Sequence, residues 1–267
     1  MSGLVATIEG IGFWSRGLPS WETARDYVRD GALPETAPTR PSPQLLAPNE
    51  RRRAPDTVAV ALEVALAACA DAGRAPATLP SVFASSHGDL AITDYMCATL
   101  ATEPATISPT KFHNSVHNAA AGYWTIGAGC MQAATAISAS DASFAQGLLE
   151  ALMQLAAGSE AVLLVAYDGE AVGPLAAVSP SAGLLGGALV LSQRARAGAP
   201  RLRLALLDAE APAPVGVLAR LAGDNASAPM LPVFEALALQ QQASILLKAG
   251  PGRALQVDIM PMEGTHA

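Results

Sequence analysis

The chain has 267 residues, of which 51% are hydrophobic, 15% charged and 4% aromatic, and its formal charge is −7 at pH 7. That length makes one large domain or two small ones, and the apolar fraction excludes a disordered chain. The acidic balance excludes a nucleic-acid binder, which needs clustered Lys and Arg for its phosphate contacts. No uninterrupted apolar run of about 18 residues is present to span a membrane.

In chain order, residues 4–13 read as a first strand, with Gly10 and Gly12 permitting a turn. A short helix follows over 21–28, with Ser20 placed as its N-cap. Residues 31–48 are rich in proline and polar groups and form a surface loop. The spacing of Val58, Ala61, Leu62, Ala65, Leu66 and Cys69 predicts a helix over 55–73 with one apolar stripe. Pro55 stands in its first turn and Gly73 ends it. A strand at 81–85 precedes a helix from about 90 to 101. A small-residue strand around 135–139 leads into a helix from about 143 to 157, with Phe144, Leu148, Ala151, Leu152 and Leu155 on one face.

Residues 161–166 are nearly all apolar, the signature of a strand covered on both faces, as in a parallel sheet sandwiched by helices. The Gly186-Gly187 pair precedes a strand at 188–192, where close backbone packing favours glycine. Arg201–Leu207 alternates arginine with apolar residues and reads as an exposed or edge strand. Residues 231–248 read as a helix that ends at Gly250-Pro251, and 255–260 as a last strand. No internal repeat is found.

Residues that could carry chemistry are few. Cys69, Cys97 and Cys130 are widely spaced and form no CxxC, so reduced thiols in a cytoplasmic protein are expected. The amino terminus, MSGLVATIEG, has no basic start followed by an apolar stretch of signal length. His113 and His117 lie four apart, but no Glu or Cys completes a metal set, so no metal is expected there. Ser140 and Ser143 flank Asp141 and could serve acyl transfer with His113 or His117 as base, although the segment is not G-x-S-x-G. Otherwise Ser140 or Asp141 caps the helix that follows. Arg51-Arg52-Arg53 is a short basic run after Glu50, a solvated helix start or a local ion-pair cluster. His266 reads as a tail residue.

Residues 108–150, SPTKFHNSVHNAAAGYWTIGAGCMQAATAISASDASFAQGLLE, resemble the segment of β-ketoacyl synthases that runs from the dimer interface into the buried nucleophile turn. Pro48–Arg53 before an apolar helix, Val82–Asp89, and the strands at 161–166 and 186–191 extend the likeness over roughly residues 1–210. The match is to the short, amino-terminal-half proteins of aryl polyene gene clusters, which resemble chain-length factors. The resemblance implies an α/β, thiolase-like fold, mostly parallel, with helices on both faces. The whole chain would be one such domain, with 211–267 an abbreviated carboxy-terminal part.

In that family a cysteine at the turn attacks an acyl thioester. Here Ser138–Ser143 holds no cysteine, and no HGT-type segment supplies the later histidines. Condensation needs a thiolate. The resemblance therefore implies a non-catalytic subunit with a degenerate turn at Ser140 and Asp141. It would pair with a ketosynthase and shape that partner's acyl tunnel without a cofactor, the chain arriving on an acyl carrier protein; the functional reading of the basic run is a docking site for such an acidic carrier. The helix at 90–101 would face the tunnel with Leu90, Thr93, Asp94 and Cys97, and His87 just before it. Phe112, His113, Asn114, His117, Tyr123 and Trp124 would lie at the partner interface, where Ala119–Gly122 permits close approach. The rivals are a serine-dependent acyltransferase or hydrolase of the same fold, and a homodimeric scaffold.

Overall fold

A 12-residue strand, β1 (Leu4–Ser15), runs through the middle of an eight-stranded sheet in the computed structural model, which describes residues 4–260. The other strands are β2 (Ser81–Ala84), β3 (Ala134–Ile137), β4 (Ala161–Asp168), β5 (Leu185–Ser192), β6 (Arg201–Leu207), β7 (Ala243–Gly250) and β8 (Arg253–Met260). Their spatial order is β3-β2-β4-β5-β1-β6-β8-β7. The helices are α1 (Trp21–Asp30), α2 (Pro48–Arg53), α3 (Asp56–Ala72), α4 (Leu90–Thr102), α5 (Pro109–Asn114), α6 (Ala119–Gly127), α7 (Ser143–Ala156), α8 (Val217–Ala222) and α9 (Leu231–Leu239). Ser20 caps α1 as expected, accepting from the Thr23 N–H, and Gly73 ends α3 in a left-handed conformation.

Two apolar cores lie on opposite faces of the sheet. On one face Val82, Ala84, Val162 and Leu164 meet Leu148 and Leu152 of α7 and Phe234 of α9. On the other Phe83, Leu163, Val165 and Val190 meet Val60, Val64 and Ala68 of α3 and Trp124 of α6. All eight residues of β4 are buried, because helices cover both of its sides. Helices on both faces of one sheet make this an α/β architecture.

The strand directions correct the mostly parallel expectation. Only β2 pairs in parallel, with β3 and with β4, and every other neighbouring pair is antiparallel. An all-apolar strand reports cover on both faces, not the direction of its neighbours. Gly10 and Gly12 make no turn. They lie within β1, where an added Cβ would fall 2.2 Å from the Ala68 oxygen and 2.0 Å from the Val64 oxygen. The bare strand lets the α3 backbone rest directly on it.

β6 is no edge strand. It lies between β1 and β8 with Leu202 and Leu204 buried and Arg201 and Arg203 in solvent. The expected helix at 231–248 stops at Leu239, where Gln240 turns left-handed (φ 54°). The chain then continues as β7, and Gly250-Pro251 opens a hairpin into β8 instead of ending a helix. Among the described residues no helix is long and apolar enough to cross a membrane, and no cluster of three or more potential metal ligands occurs. His266 lies outside the described residues.

α3 is buried on most of its circumference, not along one stripe, and Leu66 of the expected set is only half-buried. One acid, Glu63, is carried into this packing. Burial raises its pKa above the ordinary carboxylate value, against a hydrogen bond from the Ser42 N–H (3.2 Å) and the attraction of Arg51. With its folded pKa above the unfolded one, Glu63 adds stability while both states are protonated and loses that contribution as pH rises through the folded value. Glu63→Gln is therefore expected to raise the denaturation midpoint near pH 7, by roughly 0.5 kcal/mol, with no gain in acid. Urea titrations across that range check it, and an equal gain at all pH values would discard the burial cause.

Candidate functional site

β2 ends in a polar turn, Ser85–Asp89, held by one buried carboxylate. Asp168, the last residue of β4, has no solvent exposure. Its Oδ1 accepts from the Ser85 hydroxyl (2.7 Å), the Ser86 N–H (3.1 Å) and the His87 N–H (3.2 Å). Its Oδ2 accepts from the Ser86 N–H (3.0 Å) and the Ser227 hydroxyl (2.7 Å). Asn225 donates to the Asp168 carbonyl and to two carbonyls of the 182–183 turn. Burial, with Asp168 and Asp89 adding, pushes the neighbouring Tyr167 phenol above its ordinary value. This hub was not singled out from sequence. The available signal was a lone acid closing an otherwise apolar, doubly covered strand.

The hub also reaches the turn between β3 and α7. Ser138 donates to the Ser86 carbonyl (3.0 Å), and Ser86 donates to the Ser140 carbonyl (2.8 Å). Ser140 has a φ of 54°, a conformation uncommon for any residue but glycine. Its side chain is in solvent, and Asp141 is ion-paired to Lys248 of β7 at 2.6 Å. Neither residue caps α7. Ser143 ties the turn instead, donating to the Ser140 carbonyl (2.6 Å) and accepting from the Ala139 N–H (3.0 Å). No histidine is hydrogen-bonded to Ser140 or Ser143 among the described residues. His117 Nε2 bonds the Ser85 carbonyl (2.9 Å), and His113 stands edge-on to Tyr123. The acyl-transfer pairing expected of these residues is not assembled.

α4 starts from Asp89, whose carboxylate accepts from the Ile92 N–H (2.9 Å) and the Thr57 hydroxyl (2.8 Å). Of its 13 residues only Ile92 is buried. Leu90 and Thr93 are half-buried and Cys97 is exposed. Asp94 turns toward its own chain, where its Oδ1 would meet a Cβ on Gly173 at 2.0 Å. His87 does likewise, its Nε2 lying 2.5 Å from the Ser179 hydroxyl. A cavity of about 920 Å³ opens at the start of α4, lined by His87, Leu90, Ile92, Lys111, Asn114 and Leu184 among others.

The expected interface residues divide. Phe112 is 63% exposed, while Asn114 is buried and His117 and Tyr123 are half-buried. Trp124 is a correction: it has no exposure and packs on Phe83 in the chain's own core (centroids 6.4 Å), so it cannot anchor a partner. Sequence reasoning missed Ile126 and Met131, which are 81% and 95% exposed, and the edge of β3, which among the described residues pairs only with β2. The basic run divides too. Arg51 and Arg52 bond locally, to the Leu46 carbonyl and to Asn49, and Arg53 lines the α4 cavity.

Comparison with known proteins gives the same fold. The model of the β-ketoacyl synthase, N-terminal domain, matches residues 21–243. No curated protein matches the chain. Among solved structures, a chain from the complex of the ketosynthase ApeO with its chain length factor ApeC from Xenorhabdus doucetiae is 23% identical. Its TM-score is 0.73, and the match covers 95% of this chain and 99% of that one. The ishigamide ketosynthase/chain length factor gives 15% identity and a TM-score of 0.73, covering 97% and 99%. A chain of AntDE:AntF, a type II polyketide synthase acyl-carrier protein with its hexaketide-bound ketosynthase, gives 13% identity and a TM-score of 0.76, covering 98% and 100%.

Proposed function

We infer the function from the family, because this chain belongs to the β-ketoacyl synthases, by their amino-terminal domain. Its role is that of a chain-length-factor-like subunit, which heterodimerises with a ketosynthase and shapes the acyl tunnel of that partner. The partner supplies the condensing cysteine and histidines. Acyl groups arrive on an acyl carrier protein, and the product is a polyene or related polyketide-type lipid. Ser140 and Asp141 mark a turn without a thiolate, so the subunit itself does not condense.

The observation that carries this reading is the bare state of α4 and α5. The two helices bury only Ile92 and Asn114, although α4 is largely apolar. A helix stabilised by packing normally buries a whole stripe. Phe112, Ile126 and Met131 are exposed as well, and uncovered apolar surface of this kind marks a protein interface. A ketosynthase fits it, and the contact should exceed about 1,000 Å². On this reading Phe112, His113 and Tyr123 belong to that interface and Leu90, Thr93 and Cys97 present α4 to the tunnel, while His87 bonds Ser179 and Asp94 packs on Gly173.

Co-expression with a ketosynthase followed by sizing chromatography tests this, with a one-to-one complex as the expected result. Phe112→Ala should weaken association by about 2 kcal/mol, roughly 30-fold, as truncation of a central aromatic anchor does. A homodimer that ignores the ketosynthase would leave a scaffold.

A further inference from the structure

We propose that Ser179, His87 and Asp168 form an acyl-transfer centre that takes acyl groups from esters or thioesters onto Ser179 and passes them to water. The three residues come from separate parts of the chain. Ser179 follows the short turn Gly173–Ala177, His87 follows β2, and Asp168 ends β4.

The geometry sets the roles. The Ser179 hydroxyl lies 2.5 Å from His87 Nε2. A hydroxyl that donates to Nε2 requires the ring proton on Nδ1. His87 Nδ1 is buried and has no hydrogen-bond partner, and it stands 4.0 Å from Asp168 Oδ1. A buried ring nitrogen without a partner beside a buried carboxylate calls for an explanation. A relay that tightens when substrate binds supplies one, since such hydrogen bonds are often long in an empty site. Asp168 also fixes the His87 backbone through its N–H, so the carboxylate sets the position of the base.

A cavity borders the base of this centre, reaching His87 but not Ser179 itself. His87 lines the cavity of about 920 Å³, with Leu90, Ile92 and Leu184 as apolar wall. Asn114 lines it too, 4% exposed and with its amide oxygen unpaired. That volume and lining suit a ligand with an apolar chain and one polar group.

In the first step Ser179 Oγ attacks the acyl carbonyl and His87 Nε2 takes its proton. The new Oγ–C bond forms as the C–S or C–O bond breaks, and the thiol or alcohol leaves with the proton from His87. Water then adds to the acyl-serine with His87 again as base, releasing the carboxylic acid and free Ser179. No oxidant or cofactor is needed. The proposal does not depend on the ketosynthase partner, because every group belongs to this chain.

The test uses the full chain with a fluorophosphonate probe and with 4-nitrophenyl octanoate. Intact mass and peptide mapping should find one adduct, on Ser179. Ester hydrolysis should fall about 100-fold or more in Ser179→Ala and in His87→Gln. If Ser179→Ala does not fold, Ser179→Cys serves instead and should remain acylated. No adduct, an adduct on Ser140 or Ser143, or hydrolysis unchanged by Ser179→Ala would each overturn the proposal.

Discussion

Asp168→Ala is expected to destabilise the fold by about 3–5 kcal/mol, the cost of breaking a buried charged network by removing its centre. The carboxylate receives the Ser85 and Ser227 hydroxyls and the Ser86 and His87 N–H groups. Alanine would leave those donors buried with nothing to accept them, and each orphan costs about 1–3 kcal/mol. The loss would spread to the β3–α7 turn, because Ser86 holds the Ser140 carbonyl and Ser138 holds the Ser86 carbonyl. Ser227→Ala removes one donor and leaves the carboxylate with its others, so it should cost only about 1 kcal/mol. Denaturant titrations of both variants give the comparison. A loss below about 1 kcal/mol for Asp168→Ala would mean that water replaces the carboxylate and that the hub is not buried in solution.

Most of the elements were legible because their signals are local. β1, α1, α3, α7, β4 and β5 fall where apolar spacing, the Ser20 cap and the Gly73 terminator put them. What was not legible is decided by pairing. Nothing in Ala161–Asp168 states that β2 runs parallel to it and β5 antiparallel, because a doubly covered strand has the same composition in either case. Gly250-Pro251-Gly252 carries equal local meaning as the end of a helix and as a hairpin, and β8 across the turn settles which it is. The site follows the same division. The serines and histidines near the degenerate turn were visible as residue types. Their partners were not, since His87 meets Ser179 across 92 residues and Asp168 meets Ser227 across 59. Trp124 looked like an anchor because aromatic side chains serve both cores and interfaces, and only burial separates the two.

Thr93→Phe is expected to shift the products of the reconstituted heterodimer to shorter chains, with little change in the stability of this subunit. Thr93 stands one turn into α4, half-buried, its hydroxyl bonded to the Asp89 carbonyl at 3.0 Å. Losing that bond and the intrinsic helix preference of the new residue together involve about 1 kcal/mol or less, because α4 is held at its start by the Asp89 cap. The added ring projects from a helix that packs little against its own chain. If α4 lines the tunnel of the ketosynthase, that ring takes space from the growing acyl chain and ends elongation early. Leu90→Ala acts in the opposite sense by opening the wall. Asp94 packs on Gly173 and His87 bonds Ser179, so substitutions there should disturb the 169–184 segment before they change chain length. The experiment supplies malonyl carrier protein to the purified pair and reads product masses, after sizing chromatography has shown that each variant still binds. A distribution that stays fixed for Leu90, Thr93 and Cys97 variants that retain the partner would remove α4 from the tunnel and leave the subunit a structural partner alone.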